Sequence, residues 1–175
     1  LTVAVNISAR NLIDPNFSGA VIRLLEHYQL SPKHLEIELT ESAVMSDPDL
    51  GKDTLAKFAN KGVKVALDDF GAGNTSLSHF LELPLSTIKI DKSFIDRIGA
   101  GEAPDNICRT IIKMAEQLGK KSIAEGVEKQ EQVDFLLRSG CDYVQGYFFS
   151  KPLPRVDFER FVEKQPAVYG ANQKS

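Results

Sequence analysis

The sequence contains only two cysteines and three histidines, and each scarcity removes a class of function. Cys108 and Cys141 stand far apart with no CxxC pattern, so a disulfide framework is not expected and a reducing, cytoplasmic compartment fits better. His27, His34 and His79 have no ligand spacing, which argues against a zinc site. No apolar stretch approaches the roughly 20 residues of a membrane helix, so no membrane contact is expected within the chain. Positive charge is not in excess either: the net charge is −3, which argues against a nucleic-acid polymer or a membrane surface as partner. No initiator Met or signal-like segment opens the chain, and Leu1 lies inside the run "LTVAVN", as though cut from something longer.

What is present is ordinary for a globular protein: 175 residues, 42% hydrophobic and 26% charged, enough for one domain with a sizeable core. That domain is expected over residues 1–165. Residues 166–175, "PAVYGANQKS", lack periodicity and read as a disordered tail.

Short β-rich runs alternate with helical patterns. Strands are expected at 2–6, 35–39, 63–69, 87–91, 122–126 and 143–147. "FSGAVIRLLEHYQL" has Val21, Leu24 and Leu25 at helical spacing. In "SDPDLGKDTLAKFANKG", Ser46 or Asp47 caps, Pro48 suits the first turn and Gly62 ends the helix. Further helices are expected near 104–118, 129–138 and 155–164. Six β-α units in series imply a parallel α/β sheet with crossover helices.

Within the strands one phase is aliphatic: Val3 and Val5, Leu35 and Ile37, Val63, Val65 and Leu67, Ile88 and Ile90. Alternation puts that phase under the helices and leaves Asn6, Glu36, Glu38, Lys64, Asp68, Lys89 and Asp91 on the other face. A polar residue ends or nearly ends every strand: Asn6, Glu38, Asp68, Lys89, Glu125 and Gln145. In a (β/α) barrel of the TIM type such ends meet at one mouth, whereas a doubly wound sheet concentrates them near one switch point. The expected fold is therefore an incomplete TIM-type barrel with about six of its eight units, the other two lying before Leu1.

Asn6, Glu38, Asp68 and Asp69 at one mouth make an anionic, all-oxygen cluster that needs a cation. Oxygen donors without His or Cys point to Mg²⁺ or Mn²⁺, with Ca²⁺ behind. Adjacent Asp residues can serve two ions, an arrangement that activates water against a phosphodiester. Lys89 can hold a phosphate or the attacking water, Glu125 can bind metal or move a proton, and Gln145 offers an amide. Blander readings exist. A lone Asp at a strand end is commonly a turn former, Glu38 and Lys89 can be a plain salt bridge, and Gly71 with Gly73 is a weak phosphate-loop signal. A Schiff-base role for Lys89 is conceivable, but the surrounding carboxylates oppose a depressed pKa. Asp69 poses its own problem, because strand phase points it away from the inner face. It reaches the mouth only if the strand ends at Asp68 and the glycines turn the chain there.

The strings "VNISARNL", "ELTES", "ALDDFGAGNTSL", "IKIDKSFI", "IAEGVE" and "DYVQGYFFSKPLP" together resemble the EAL-domain cyclic-di-GMP phosphodiesterases, in the family's order and over nearly all of residues 1–165. The resemblance implies a (β/α) barrel that linearises cyclic di-GMP to pGpG with Mg²⁺ or Mn²⁺ in a two-metal site. It implies Asn6, Glu38, Asp68, Asp69 and Glu125 as metal ligands and Lys89, Glu125 and Gln145 as catalytic groups, with Asp91 and Glu128 supporting. Glu41 is similar to the glutamate that braces the loop after the Asp pair. That loop, with Gly71, Gly73 and Asn74, couples the metals to a dimer interface in the family, so a homodimer is implied. Regulatory or GGDEF-type domains are expected upstream. Two departures stand out. The Glu-Ala-Leu motif itself is absent from the chain and is expected before Leu1, and Asn74 replaces a usual aromatic.

An active phosphodiesterase is thus the leading expectation for the intact domain, with the isolated fragment impaired. The alternative is an inactive receptor that binds cyclic di-GMP, but such proteins usually lose several ligands, and every matching ligand after Leu1 is present. A metal-dependent barrel lyase or aldolase would need a carbonyl substrate that nothing in the sequence requires.

Overall fold

The computed structural model describes residues 1–71 and 82–164. Six parallel strands form one sheet, β1 (Val3–Asn6), β2 (Leu35–Thr40), β3 (Lys64–Phe70), β4 (Thr87–Ile90), β5 (Lys121–Ala124) and β6 (Tyr143–Val144). Each pairs with the next in chain order. Sequential order without a reversal is what successive right-handed β-α units produce when they curl toward a barrel. The result is a half-barrel of the TIM type, as expected from the polar strand ends.

The described helices are α1 (Ala9–Ile13), α2 (Phe17–His27), α3 (Glu41–Met45), α4 (Pro48–Asn60), α5 (Lys92–Ile95), α6 (Glu102–Gln117), α7 (Gln130–Arg138) and α8 (Arg155–Lys164). The longer ones fall where periodicity predicts them. The short α1, α3 and α5 do not show in the pattern, because one turn is too brief for a period to emerge. At the start of α4, Asp47 is the cap and accepts from the Leu50 N–H at 3.2 Å. Ser46 instead donates to the Ala43 carbonyl at 2.8 Å. Gly62 follows the helix with φ +84°, a left-handed geometry suited to glycine.

The core lies between the aliphatic strand phase and the helices. Ile37, Leu39, Val65 and Leu67 pack with Leu12, Leu55 and Phe58 in one cluster, and Ile90 and Ala124 pack with Ile95, Cys108, Ile112 and Leu136 in a second. Phe70 contacts both. Two residues of the expected phase depart from it: Val3 is 62% and Val5 43% exposed. Strand β1 has a single neighbour, β2, and helices α1 and α2 pack against α4 rather than across β1, so its apolar phase stays uncovered. Strand β6 is shorter than expected and ends at Val144. Residues 166–175 lie outside the described residues.

Asp142 fixes the entry to β6. Its Oδ2 accepts from the Ser122 N–H at 3.0 Å and the Ser122 hydroxyl at 3.2 Å, and its Oδ1 meets the Lys121 Nζ at 2.6 Å. Burial by itself raises this carboxyl, but those partners outweigh burial and hold it below its usual value.

Phe58 is fully buried and meets Phe17 edge-on at 5.9 Å. Phe58→Ala is therefore expected to cost about 3–5 kcal/mol in urea unfolding, the scale of a buried aromatic truncation. A loss under about 1 kcal/mol would show the site to be collapsible. For Asp142 the lowered folded pKa means its stabilisation is present above the unfolded pKa of about 4 and is lost as pH falls through the folded value. Asp142→Asn is expected to lose about 1–3 kcal/mol at pH 7, and the difference from the parent should close toward pH 3 in parallel unfolding curves. A deficit independent of pH would count against the charge assignment.

Candidate active site

Alternation turns Glu38, Asp68 and Lys89 to the inner face of the sheet, and the parallel register sets their strands side by side. Lys89 is 4% exposed. Its Nζ lies 2.8 Å from Glu38 Oε1, 3.0 Å from Asp68 Oδ1 and 2.8 Å from Glu125 Oε1. One ammonium thus draws together carboxylates from β2, β3 and the residue after β5. Burial by itself lowers the Lys89 pKa, but hydrogen bonds to Glu125, Glu38 and Asp68 outweigh it and hold the amine above its ordinary value. Lys89 is therefore an ammonium at neutral pH, which removes the Schiff-base reading.

Asp69 reaches the same place by a route other than the expected one. Strand β3 does not end at Asp68. It runs to Phe70 through a register shift between Leu67 and Phe70, and Asp69 itself takes a left-handed φ of +55°. A bulge of this kind re-aims a side chain without ending the strand. The Asp69 N–H donates to Asp68 Oδ1 at 3.1 Å, bracing the turn. Gly71 then leaves the strand with φ +93°, and a Cβ there would lie 2.9 Å from the Phe94 ring.

One carboxylate oxygen each from Asp68, Asp69 and Glu125 lies within 4.8 Å of the others. Burial, then Asp68 and Asp91, push the Asp69 carboxyl up. Burial also raises Glu125, with Lys89 opposing and Asp68 adding. Burial likewise acts to raise Asp91, but hydrogen bonds, chiefly from Ser93, hold it below its usual value, and Asp69 contributes one of them. Three hard oxygen donors held together against mutual repulsion fit a divalent cation of the Mg²⁺, Mn²⁺ or Ca²⁺ type.

The other expected residues are placed less centrally. Glu38 joins the cluster through Lys89, and Asn6 sits beside Glu38 at the same level of the sheet. Gln145 follows β6, is exposed, and borders a cavity of about 530 Å³ lined by Tyr147, Phe149, Lys151 and Phe158 among others. Glu128 is exposed and pairs with Lys92 at 2.8 Å. Glu41 is buried at the start of α3. Gly73 and Asn74 lie outside the described residues, as does the loop Glu41 was expected to brace.

Two residues near the site escaped the sequence reading. Lys92 reaches Glu128 and the Gly126 carbonyl, and buried Gln132 bonds the backbone on both sides of it. Gln132 had a usable signal, since Gln at the third helical position is a capping-box residue. Lys92 had none, because its partners are near only in the fold.

A parallel half-barrel with hard oxygen donors and a buried lysine at its strand ends belongs to the class of metal-binding (β/α)-barrel modules. The chain belongs to the EAL domain family, whose profile matches residues 1–152. It is 42% identical over 167 residues to the signaling protein YkoW of Bacillus subtilis, covering 95% of this chain and 21% of that protein. It is 41% identical over 162 residues to the cyclic di-GMP phosphodiesterase NbdA of Pseudomonas aeruginosa, covering 93% of this chain and 21% of the relative. The chain therefore spans about a fifth of the length of these curated relatives. Among solved structures, the PaMucR phosphodiesterase in its c-di-GMP complex superposes with a TM-score of 0.84 at 35% identity, covering 90% of this chain and 64% of that one. Klebsiella pneumoniae BlrP1 with manganese and cyclic di-GMP gives a TM-score of 0.80 at 31% identity, covering 86% and 39%. Among the described residues no helix is long and apolar enough to cross a membrane.

The raised Lys89 pKa means its stabilisation is complete at neutral pH and fades only as pH rises through the folded value. Lys89→Met strands three carboxylates together and is expected to cost about 3–5 kcal/mol at pH 7. The loss should shrink as pH falls, since Glu125, raised by burial, takes up a proton more readily, and in millimolar Mn²⁺. Urea curves showing full stability at pH 7 without metal would contradict this electrostatic picture.

Proposed function

We propose that the protein carrying this chain is a metal-dependent phosphodiesterase that hydrolyses cyclic di-GMP to linear pGpG. The observation that carries the reading is the meeting of Asp68, Asp69 and Glu125 oxygens beside the Lys89 ammonium. Asp68, Asp69 and Glu125, with Glu38 and Asn6 beside them, would hold Mg²⁺ or Mn²⁺, in keeping with a two-metal site. A divalent ion there supplies Lewis acidity to the phosphodiester and makes water a stronger nucleophile.

The chain's own residues do the rest. Lys89, its three N–H groups engaged by Glu38, Asp68 and Glu125, places a fixed positive charge beside the phosphate and the incoming water. Glu125, its affinity for protons raised by burial, takes the proton that water gives up as oxygen bonds to phosphorus and the ester P–O bond breaks. The leaving ribose oxygen takes its proton from solvent water, and Glu125 returns the proton it holds to solvent, so the site is restored. Gln145, at the rim of the aromatic-lined cavity, offers an amide to a guanine edge or a water. The same reading extends to a homodimer coupled through the loop that begins at Gly71 and to regulatory or GGDEF-type domains in the parent protein. A cytoplasmic setting accords with Cys108 and Cys141, both free thiols.

The presence of every matching ligand after Leu1 favours an enzyme over a non-hydrolytic receptor. Removing a hard anionic ligand forfeits several kcal/mol of transition-state stabilisation, so Asp68→Asn and Glu38→Gln are each expected to cut Mn²⁺-dependent pGpG formation about 100-fold or more. Chromatographic separation of pGpG from substrate measures it. Near-parental turnover in either variant counts against its ligand role. A parent protein that binds the nucleotide without producing pGpG is a receptor, and one that does neither overturns the reading.

A further inference from the structure

The loop that delivers Glu125 is suspended between neighbours rather than folded on itself. The Glu125 N–H donates to the Ile90 carbonyl at 3.2 Å, and the Val127 N–H donates to the Gln145 carbonyl at 3.0 Å. Beyond them, the backbone N–H groups of Glu128 and Lys129 both donate to Gln132 Oε1, at 2.8 and 3.0 Å. The Gln132 amide then donates through Nε2 to the Ile95 carbonyl of α5 at 3.0 Å. Gln132 is 3% exposed, so these partners cannot be exchanged for water at small cost.

Capping alone explains the bonds to Glu128 and Lys129. It does not explain the third bond, which crosses to α5. That helix is also tied to the other carboxylate-bearing loop. Phe94 of that helix lies against Gly71, two residues after Asp69, so closely that a Cβ there would come within 2.9 Å of its ring. At the front of α5, Lys92 reaches the Gly126 carbonyl and Glu128, and its stem covers Gly126, where a Cβ would fall 2.5 Å from Lys92 Cγ. A single helical turn therefore touches Gly71, where the chain leaves the Asp68–Asp69 bulge, on one side and the Glu125 loop on the other.

We propose that Gln132 is a positioning residue of the active site, setting the Glu125 loop against α5 and so fixing the spacing of Glu125 from Asp68 and Asp69. This inference rests on the metal-dependent reading of the site. Gln132 touches no reacting atom. It acts through the backbone, and the surface pairs of Lys92 add less because exposed ion pairs contribute little.

Gln132→Met keeps the side-chain length and removes both the acceptor and the donor. Val133→Ala, one residue on in the same helix, is buried but bonds nothing outside the helix by its side chain and serves as the stability control. In the full protein, Gln132→Met is expected to weaken Mn²⁺ binding, followed by the EPR signal of free Mn²⁺, by about 10- to 100-fold, the range for groups that orient metal ligands. It should lower kcat for cyclic di-GMP with KM within about threefold, because an interaction realised in the transition state is lost. Val133→Ala should leave both within about twofold even where its melting temperature falls as far. Gln132→Glu keeps the acceptor, loses the donor to Ile95, and should fall between Met and the parent. Where Gln132→Met does not fold, Gln132→Glu against Val133→Ala decides the question. Variants at Gln132 that bind Mn²⁺ and turn over as Val133→Ala does overturn the inference while leaving the metal reading intact. A parent protein that neither binds Mn²⁺ nor makes pGpG overturns both.

Discussion

The arrangement at the strand ends depends on one buried ammonium. Lys89 is held 2.8–3.0 Å from three carboxylates contributed by different parts of the sheet. In a low-dielectric interior, carboxylates so close repel one another, and a cation removes much of that repulsion. The same contacts keep Lys89 protonated, so it serves as a fixed donor and not as a nucleophile. Charge balance and geometry are thus the same feature: the lysine that permits the acidic cluster is also the group aimed into it.

Around that centre the chain uses backbone conformation to bring in side chains that regular strands would turn away. Asp69 enters through a left-handed turn inside β3, and Gly71 must be glycine because its neighbour is an aromatic ring. Gly146 is constrained more tightly still, since a Cβ there would fall 2.0 Å from the Val127 carbonyl oxygen. The Gln145 and Glu125 loops therefore run in direct backbone contact, joined by hydrogen bonds in both directions between Val127 and its neighbours Gln145 and Phe148. Such close approach makes the mouth of the half-barrel a single bonded structure instead of a set of independent loops.

Much of this was legible in the residues. The period-two alternation of β2, β3 and β4 separated the core phase from the functional phase, because a pleated strand leaves no other choice. It named Glu38, Asp68 and Lys89 as inward-facing, and they are. It failed at β1, where Val3 and Val5 follow the pattern yet stay exposed, since burial requires a covering helix that the alternation cannot guarantee. It also failed at Asp69, where phase pointed outward and a bulge reversed the outcome.

The sequence by itself determined the order of units, the parallel α/β barrel architecture and the chemical character of the donor set, because periodicity and residue type act locally. Tertiary structure alone decided that Lys89 bridges three strands' worth of carboxylates, that α5 lies between the two carboxylate-bearing loops, and that Gln132 reaches across to Ile95. Those contacts join residues up to 51 positions apart, as in Lys89 with Glu38. Whether such residues meet depends on the curl of the sheet and the packing of its helices, and no local pattern encodes a distance of that kind.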